Sequence, residues 1–250
     1  MNTKLFFIRK KNLLLVFMFT SILLYGGKTD TIEINRKFSV GLTASPNYSF
    51  RNLVATDFGK SDNAYTINGS EFDYREHFED KKLSYSYGIN LQYRINKHFA
   101  LEAAVYRANK GYEIEHVQYG YSNNINHLVY DFNYVDIPLS FKYFVFNKKV
   151  SLFFIAGVSA NVFVLSRVKT INLVTNDVAY SHSREGVTPY NISVLGGLGI
   201  SYEISNRMNV SLQPQYERFL NTKLNNDYLS AIYDEYLYSY GVNFGLYYTF

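Results

Sequence analysis

Three observations in this 250-residue sequence predict an all-β fold: an eight-stranded antiparallel up-and-down barrel that crosses a membrane, preceded by a cleaved signal peptide. Apolar residues alternate with small or polar ones through most of the chain, which is the side-chain period of strands with two unlike faces. The alternating segments are long. They run to about 10 to 15 residues, where strands of soluble proteins cluster near five or six and tilted membrane-spanning strands need about 9 to 11. The connections then alternate between tight and long, the pattern of short turns at one rim of a barrel and extended loops at the other.

The chain opens with basic residues at Lys4, Arg9, Lys10 and Lys11, and Leu13 to Leu24 follows as an apolar run relieved only by Thr20 and Ser21. A spanning helix needs about 20 apolar residues, so this shorter run reads as the core of a secretory signal peptide. Residues 1–27 are assigned to it, and residues 28–250 to the barrel domain. In the first strand Phe38, Val40, Leu42, Ala44, Pro46, Tyr48 and Phe50 share one face, with Ser39, Gly41, Thr43, Ser45, Asn47 and Ser49 on the other. The second sets Leu83, Tyr85, Tyr87, Ile89, Leu91, Tyr93 and Ile95 against Ser84, Ser86, Gly88, Asn90, Gln92 and Arg94. Six more read at Phe99–Ala108, Asn133–Phe146, Val150–Leu165, Tyr190–Ile204, Met208–Phe219 and Tyr236–Phe250. Tight turns fall at 96–98, 147–149 and 205–207. Long loops are expected near 51–82, 109–132, 166–189 and 220–235, where most of the Asp, Glu and Asn lie.

Composition excludes several alternatives. Aromatic residues make up 18% of the chain, as 25 Tyr and 20 Phe without Trp, and charged residues only 18%, which does not describe a disordered protein. The net charge of +4 comes from the N-terminus: the 25 Lys and Arg, less the four named above, equal the 21 Asp and Glu. That neutral remainder argues against a nucleic-acid partner. Without cysteine there is no disulfide scaffold, thiolate metal site or lipid-anchored cysteine. The polar face carries Ser, Gly, Asn and Gln more than the Lys and Glu that coat a solvated sheet, which suits a confined lumen. A sheet in hydrocarbon must close on itself, and Tyr at strand ends can anchor its hydroxyl among headgroups.

The last strand, Tyr238 to Phe250, ends on an aromatic after alternating apolar residues, and so resembles the C-terminal signal read by the barrel assembly machinery, with Phe250 as the recognised residue. The segments Tyr134-Val-Asp-Ile-Pro-Leu-Ser-Phe-Lys-Tyr143, Ala156-Gly157 and Gln215-Tyr-Glu-Arg-Phe-Leu-Asn221 resemble the small outer-membrane barrels of Bacteroidota grouped as PorT-like. The resemblance spans the mature chain. It implies an outer-membrane location, lipid and lipopolysaccharide as surroundings, and other envelope proteins as partners.

Little in the sequence points to catalysis or a cofactor. Leu195-Gly-Gly-Leu-Gly199 lacks the helix that a phosphate-cradling loop requires, because Ile200 to Ile204 keeps the strand pattern; the glycines are read as a place where a strand curves or meets a bulky neighbour. The five histidines, His77, His98, His116, His127 and His182, fall in turns and expected loops without metal-ligand spacing. Glu71, Asp73, Glu76, Glu79 and Asp80 form an acidic loop that is read as solvated rather than as a Ca²⁺ site. On the lumen face stand Arg94, Glu102, Asp136, Lys142, Glu203, Gln213, Gln215 and Glu217. Eight strands enclose only enough room for side chains, so these are read as a plug, with Arg94, Glu102, Lys142 and Glu203 expected in one layer near the turn end. The expected function is a non-catalytic barrel acting as a structural or surface-interaction component through long extracellular loops. The alternatives are a PorT-like subunit of an envelope secretion machinery and a membrane-embedded lipid-modifying hydrolase or acyltransferase.

Overall fold

The computed structural model describes residues 37–55, 79–118, 125–147, 149–184, 186–221, 224–225 and 233–250. The expected signal peptide, with Glu71, Asp73, Glu76 and His77, lies outside them. Eleven strands are described: β1 (Phe38–Ala55), β2 (Glu79–Arg94), β3 (Phe99–Gln118), β4 (Ile125–Asn147), β5 (Val150–Asn172), β6 (Val178–Ser183), β7 (Gly186–Val187), β8 (Tyr190–Ser205), β9 (Met208–Phe219), β10 (Leu224–Asn225) and β11 (Tyr233–Thr249). Eight of them, β1 to β5, β8, β9 and β11, pair in the cyclic order β4-β3-β2-β1-β11-β9-β8-β5 and back to β4. Every pair is antiparallel. The ring closes where the first and last strands meet, from Ser39 opposite Thr249 to Ala55 opposite Tyr233. Closure leaves no unpaired edge, the condition a sheet must meet in hydrocarbon.

The tight turns are built by local polar chemistry. The Asn96 side chain accepts hydrogen bonds from the backbone N–H of His98 (2.8 Å) and Phe99 (2.9 Å), which lets β2 reverse into β3. Outward-facing residues form two aromatic girdles. Phe38 with Tyr93, Phe99 with Tyr143 and Tyr248 with Phe250 mark the turn end. Tyr48 with Tyr240 and Phe50 with Tyr238 mark the upper border. Between them the outward surface is apolar, as at Leu42, Ile89, Leu91, Leu139 and Val158.

All four expected long loops are corrected in part: residues 51–55 continue β1, 79–82 begin β2, 224–225 form β10 and 233–235 begin β11. Residues 109–118 and 125–132 continue β3 and β4, which stay paired as far as Gln118 opposite Ile125. Residues 166–172 extend β5, and β6 pairs back onto it. These segments read as loops because polar residues break into the alternation, at Asn109, Lys110, Glu113 and Glu115, at Asp131, and at Arg167 and Lys169. The inward positions keep it: Tyr112, Ile114, Leu128 and Phe132 are all buried. At 20, 23 and 23 residues, β3, β4 and β5 are about twice the length a bilayer requires.

The upper part of β3 leans over the lumen. The β2–β3 register shifts between Lys81 and Ser86, and β3 comes close to β1 and β11, strands with which it does not pair. Gly111 marks the bend. Its N–H donates to Ser49 Oγ (2.8 Å), which donates in turn to Gly111 O (2.9 Å). With φ at +155° and the Tyr130 carbonyl oxygen occupying the place of a Cβ, this position requires glycine.

Candidate functional site

The enclosed lumen is the most chemically loaded region among the described residues, and its side chains stack in tiers from the turn end upward. At the floor Ala100, Phe144 and Phe153 form an apolar cluster, the two rings 5.3 Å apart. Phe153 lies over Gly199, where a Cβ would strike the ring; this accounts for one glycine of the Leu195–Gly199 run. The guanidinium of Arg94 stacks on Phe144, 4.4 Å from its centroid.

Immediately above, Lys142 Nζ is 2.6 Å from Glu102 Oε2. The Tyr247 hydroxyl donates to the same carboxylate oxygen (3.0 Å), and Lys142 also donates to Gln92 Oε1 (3.3 Å). Lys142 and Glu102 are 1% and 4% exposed. Burial on that scale is tolerated only when charges are paired and hydrogen-bonded. The strands bring them together through register, since Ala100 lies opposite Lys142 and Glu102 opposite Ser140.

The next tier gathers two carboxylates on one ammonium. Lys110 Nζ sits 3.0 Å from Asp136 Oδ2 and 2.6 Å from Glu217 Oε2. Asn161 Nδ2 donates to both acids, at 2.7 Å to Asp136 and 3.0 Å to Glu217, while Ser193 Oγ donates to Glu217 at 2.6 Å. Above this the lumen is apolar: Tyr112, Ile114, Leu128, Phe132, Tyr134, Phe219 and Leu237 form one buried cluster, with Tyr134 edge-on to Phe219 at 5.4 Å. At its upper edge Arg51 donates to Glu79 (2.7 Å), Glu235 (3.3 Å) and the Tyr112 hydroxyl (2.9 Å). Lys82 is clamped by Asp131 at 2.6 Å, and Arg167 reaches the same carboxylate at 2.9 Å.

Of the four residues expected in one layer, Glu102 and Lys142 are joined directly. Arg94 lies one step below them, opposite Ala100. Glu203 sits opposite Asn209 next to the turn, where it is exposed; its charge acts on Arg94, but it belongs to the rim, not to the buried pair. The tier around Lys110 was not foreseen because Lys110 fell in an expected loop. The signal was present in the even-numbered run Glu102, Ala104, Tyr106, Ala108, Lys110, which continues the lumen face of β3 without a break. Phe250 ends the seam strand: its N–H donates to Phe38 O at 3.0 Å, and its ring lies exposed on the outer face. Among the described residues no three His, Asp or Glu come together in a group that could hold a metal ion.

The chain matches the family described as outer membrane protein beta-barrel domain over residues 35–248. No curated protein matches it. Among solved structures it is similar to Neisserial surface protein A, at 15% identity and a TM-score of 0.45, covering 85% of this chain and 97% of that one. It is also similar to Ail, the attachment invasion locus protein of Yersinia pestis, at 12% identity and TM-score 0.40 over 86% and 99% of the two chains. A third is the outer membrane protease OmpT of Escherichia coli, at 10% identity and TM-score 0.46 over 88% and 99%.

Proposed function

Because the chain belongs to the outer membrane protein beta-barrel domain family, we propose that it serves as a non-catalytic, non-conducting outer-membrane barrel acting through the strands and loops above its upper girdle. The observation that carries this reading is the lumen. Its floor, two ion-paired tiers and aromatic cluster occupy the interior from the turn end to the Arg51 tier, which leaves the upper surface as the part free to meet a partner. The tight turns face the periplasm in this reading, and the long β3–β4 and β5–β6 ribbons stand in the medium.

The finer parts of the reading rest on the sequence. We take the first 27 residues as a signal peptide that brings the chain across the inner membrane. We take Phe250 as the residue met by the barrel assembly machinery, and the segments quoted above as a likeness to the PorT-like barrels of Bacteroidota. Two of the histidines weighed for catalysis have structural partners: His98 Nδ1 lies 3.0 Å from Phe144 O, and His127 Nε2 lies 3.1 Å from Glu113 Oε2.

The test is a rescue experiment. In a strain lacking the gene, one complementing chain has the residues between Tyr112 and Tyr130 replaced by Asn-Gly, a two-residue turn that can close this hairpin. A second carries Lys142→Met with Glu102→Met. The surface reading expects the shortened chain to assemble but fail to restore the deletion phenotype, and the lumen variant to restore it. Rescue by the shortened chain would sink the proposal.

A further inference from the structure

The lipid-facing wall is not uniform. The β1–β11 ladder is interrupted between Ala44–Phe244 and Asn47–Gly241, and the β8–β9 ladder between Gly197–Gln215 and Ile200–Leu212. Each gap falls at a proline, Pro46 and Pro214, which has no N–H to give. The registers of β1 with β11 and of β11 with β9 bring Pro46, Val242 and Pro214 into one row. All three face outward, Leu198 lines the trough beside Pro214, and Gly196, opposite Tyr216 in the next row, offers no side chain. The rows on either side are tall, with Tyr48, Tyr240 and Tyr216 above and Phe244 and Leu212 below. The result is a trough of about 660 Å³ on the outer face, within the range of roughly 300–1,000 Å³ typical of ligand pockets. No charged side chain lines it.

We propose that this trough binds an acyl chain of an anionic membrane lipid, whose phosphate meets Lys81 and Arg218. The proposal rests on the outer-membrane reading, which puts hydrocarbon against this face. A trough there has no water to fill it, and if empty its walls lose dispersion contacts; a lipid tail supplies them. The charge above the trough selects the headgroup. Lys81 Nζ lies over the Tyr48 ring at 5.3 Å, and the Arg218 guanidinium over Tyr238 at 5.1 Å. Both cations are exposed at the upper girdle, the depth at which phosphates of the facing leaflet lie. Glu79 is held by Arg51, whereas Asp80 accepts from the Lys81 backbone N–H and its charge acts on the Lys81 ammonium, which also meets the Tyr240 hydroxyl.

Gly196 supplies the test, since an added Cβ there meets only Ile155 O, at an ordinary contact distance of 3.8 Å, so Gly196→Phe places a ring at the trough without a backbone clash at its Cβ. Val242→Phe fills it from the other side. The full-length protein is reconstituted in vesicles carrying either a phosphatidylglycerol or a phosphatidylcholine with a mid-chain diazirine, irradiated, and mapped by mass spectrometry. Label should concentrate on the Pro214 and Val242 segments relative to the opposite wall around Leu139 and Val158. It should favour phosphatidylglycerol by roughly tenfold, the ratio set by about 1.4 kcal/mol, and be lost from the trough in both Phe variants while persisting on the opposite wall. Label spread evenly around the barrel, or unchanged by either variant, would overturn the site. Equal labelling by the two lipids would overturn the headgroup assignment. Absence of label from all outward strands would instead refute the membrane reading on which the site rests.

Discussion

At the scale of single residues, the lumen works by pairing, and Lys142 tests this most cleanly. Replacing it with Met leaves Glu102 buried with only the Tyr247 hydroxyl against it, and removing one partner of a buried pair costs about 3–5 kcal/mol. Replacing both with Met removes the stranded charge along with the pair, so the double variant should recover most of that loss. Urea unfolding from lipid vesicles checks the cycle, and additive losses would contradict the pairing. Arg94→Ala should cost less than Lys142→Met, because the acid beside it, Glu203, is exposed and keeps its water. The sequence alone ranks these residues as equals. Parity of position places all four on the lumen face, but parity carries no information about depth, and depth separates a buried pair from a rim pair.

At the scale of elements, the terminal strand has two separable duties. Its inward face helps to fill the lumen through Tyr247 and Leu237, both buried. Phe250 adds one rung to the seam and an outward ring that packs on Tyr248 at 5.1 Å. Deleting Phe250 should therefore lower the amount of barrel assembled in cells while leaving refolding into vesicles nearly unchanged; equal outer-membrane levels of the two chains would refute the recognition role. Elements differ in how much of them the sequence exposes. Within the bilayer both faces of each strand are constrained, one by lipid and one by the lumen, so β1 and β2 are legible from Phe38 to Phe50 and from Leu83 to Arg94. Above the girdle the outer face meets water, Glu113 and Arg167 are free to be polar, and only the buried inward half of the pattern remains. The lean of β3 over the lumen depends on Gly111 and on a register shift opposite it, and a lone glycine in a polar stretch does not declare which carbonyl it must accommodate.

At the scale of the whole molecule, closure and filling are one problem. A ring of eight strands satisfies every ladder without an edge and encloses a space about wide enough for its own side chains. The chain fills that space with Phe144 and Phe153 at the floor, Lys142 and Glu102 above them, Lys110 between Asp136 and Glu217, and the Tyr134 cluster towards the top. The lumen face legible in the sequence predicts a plug of paired polar side chains and does not foretell an apolar half. The aromatic upper half comes from β3, β4, β9 and β11, whose inward positions lay partly in segments that read as loops. Open pores of the outer membrane use 16 or more strands, roughly, to leave an aqueous path. Single-channel recording of the purified protein in planar bilayers tests the filled ring directly. The account predicts no steady conductance from the wild type over a wide voltage range, and stable, ion-selective steps that change when Lys142 or Lys110 is replaced would contradict it.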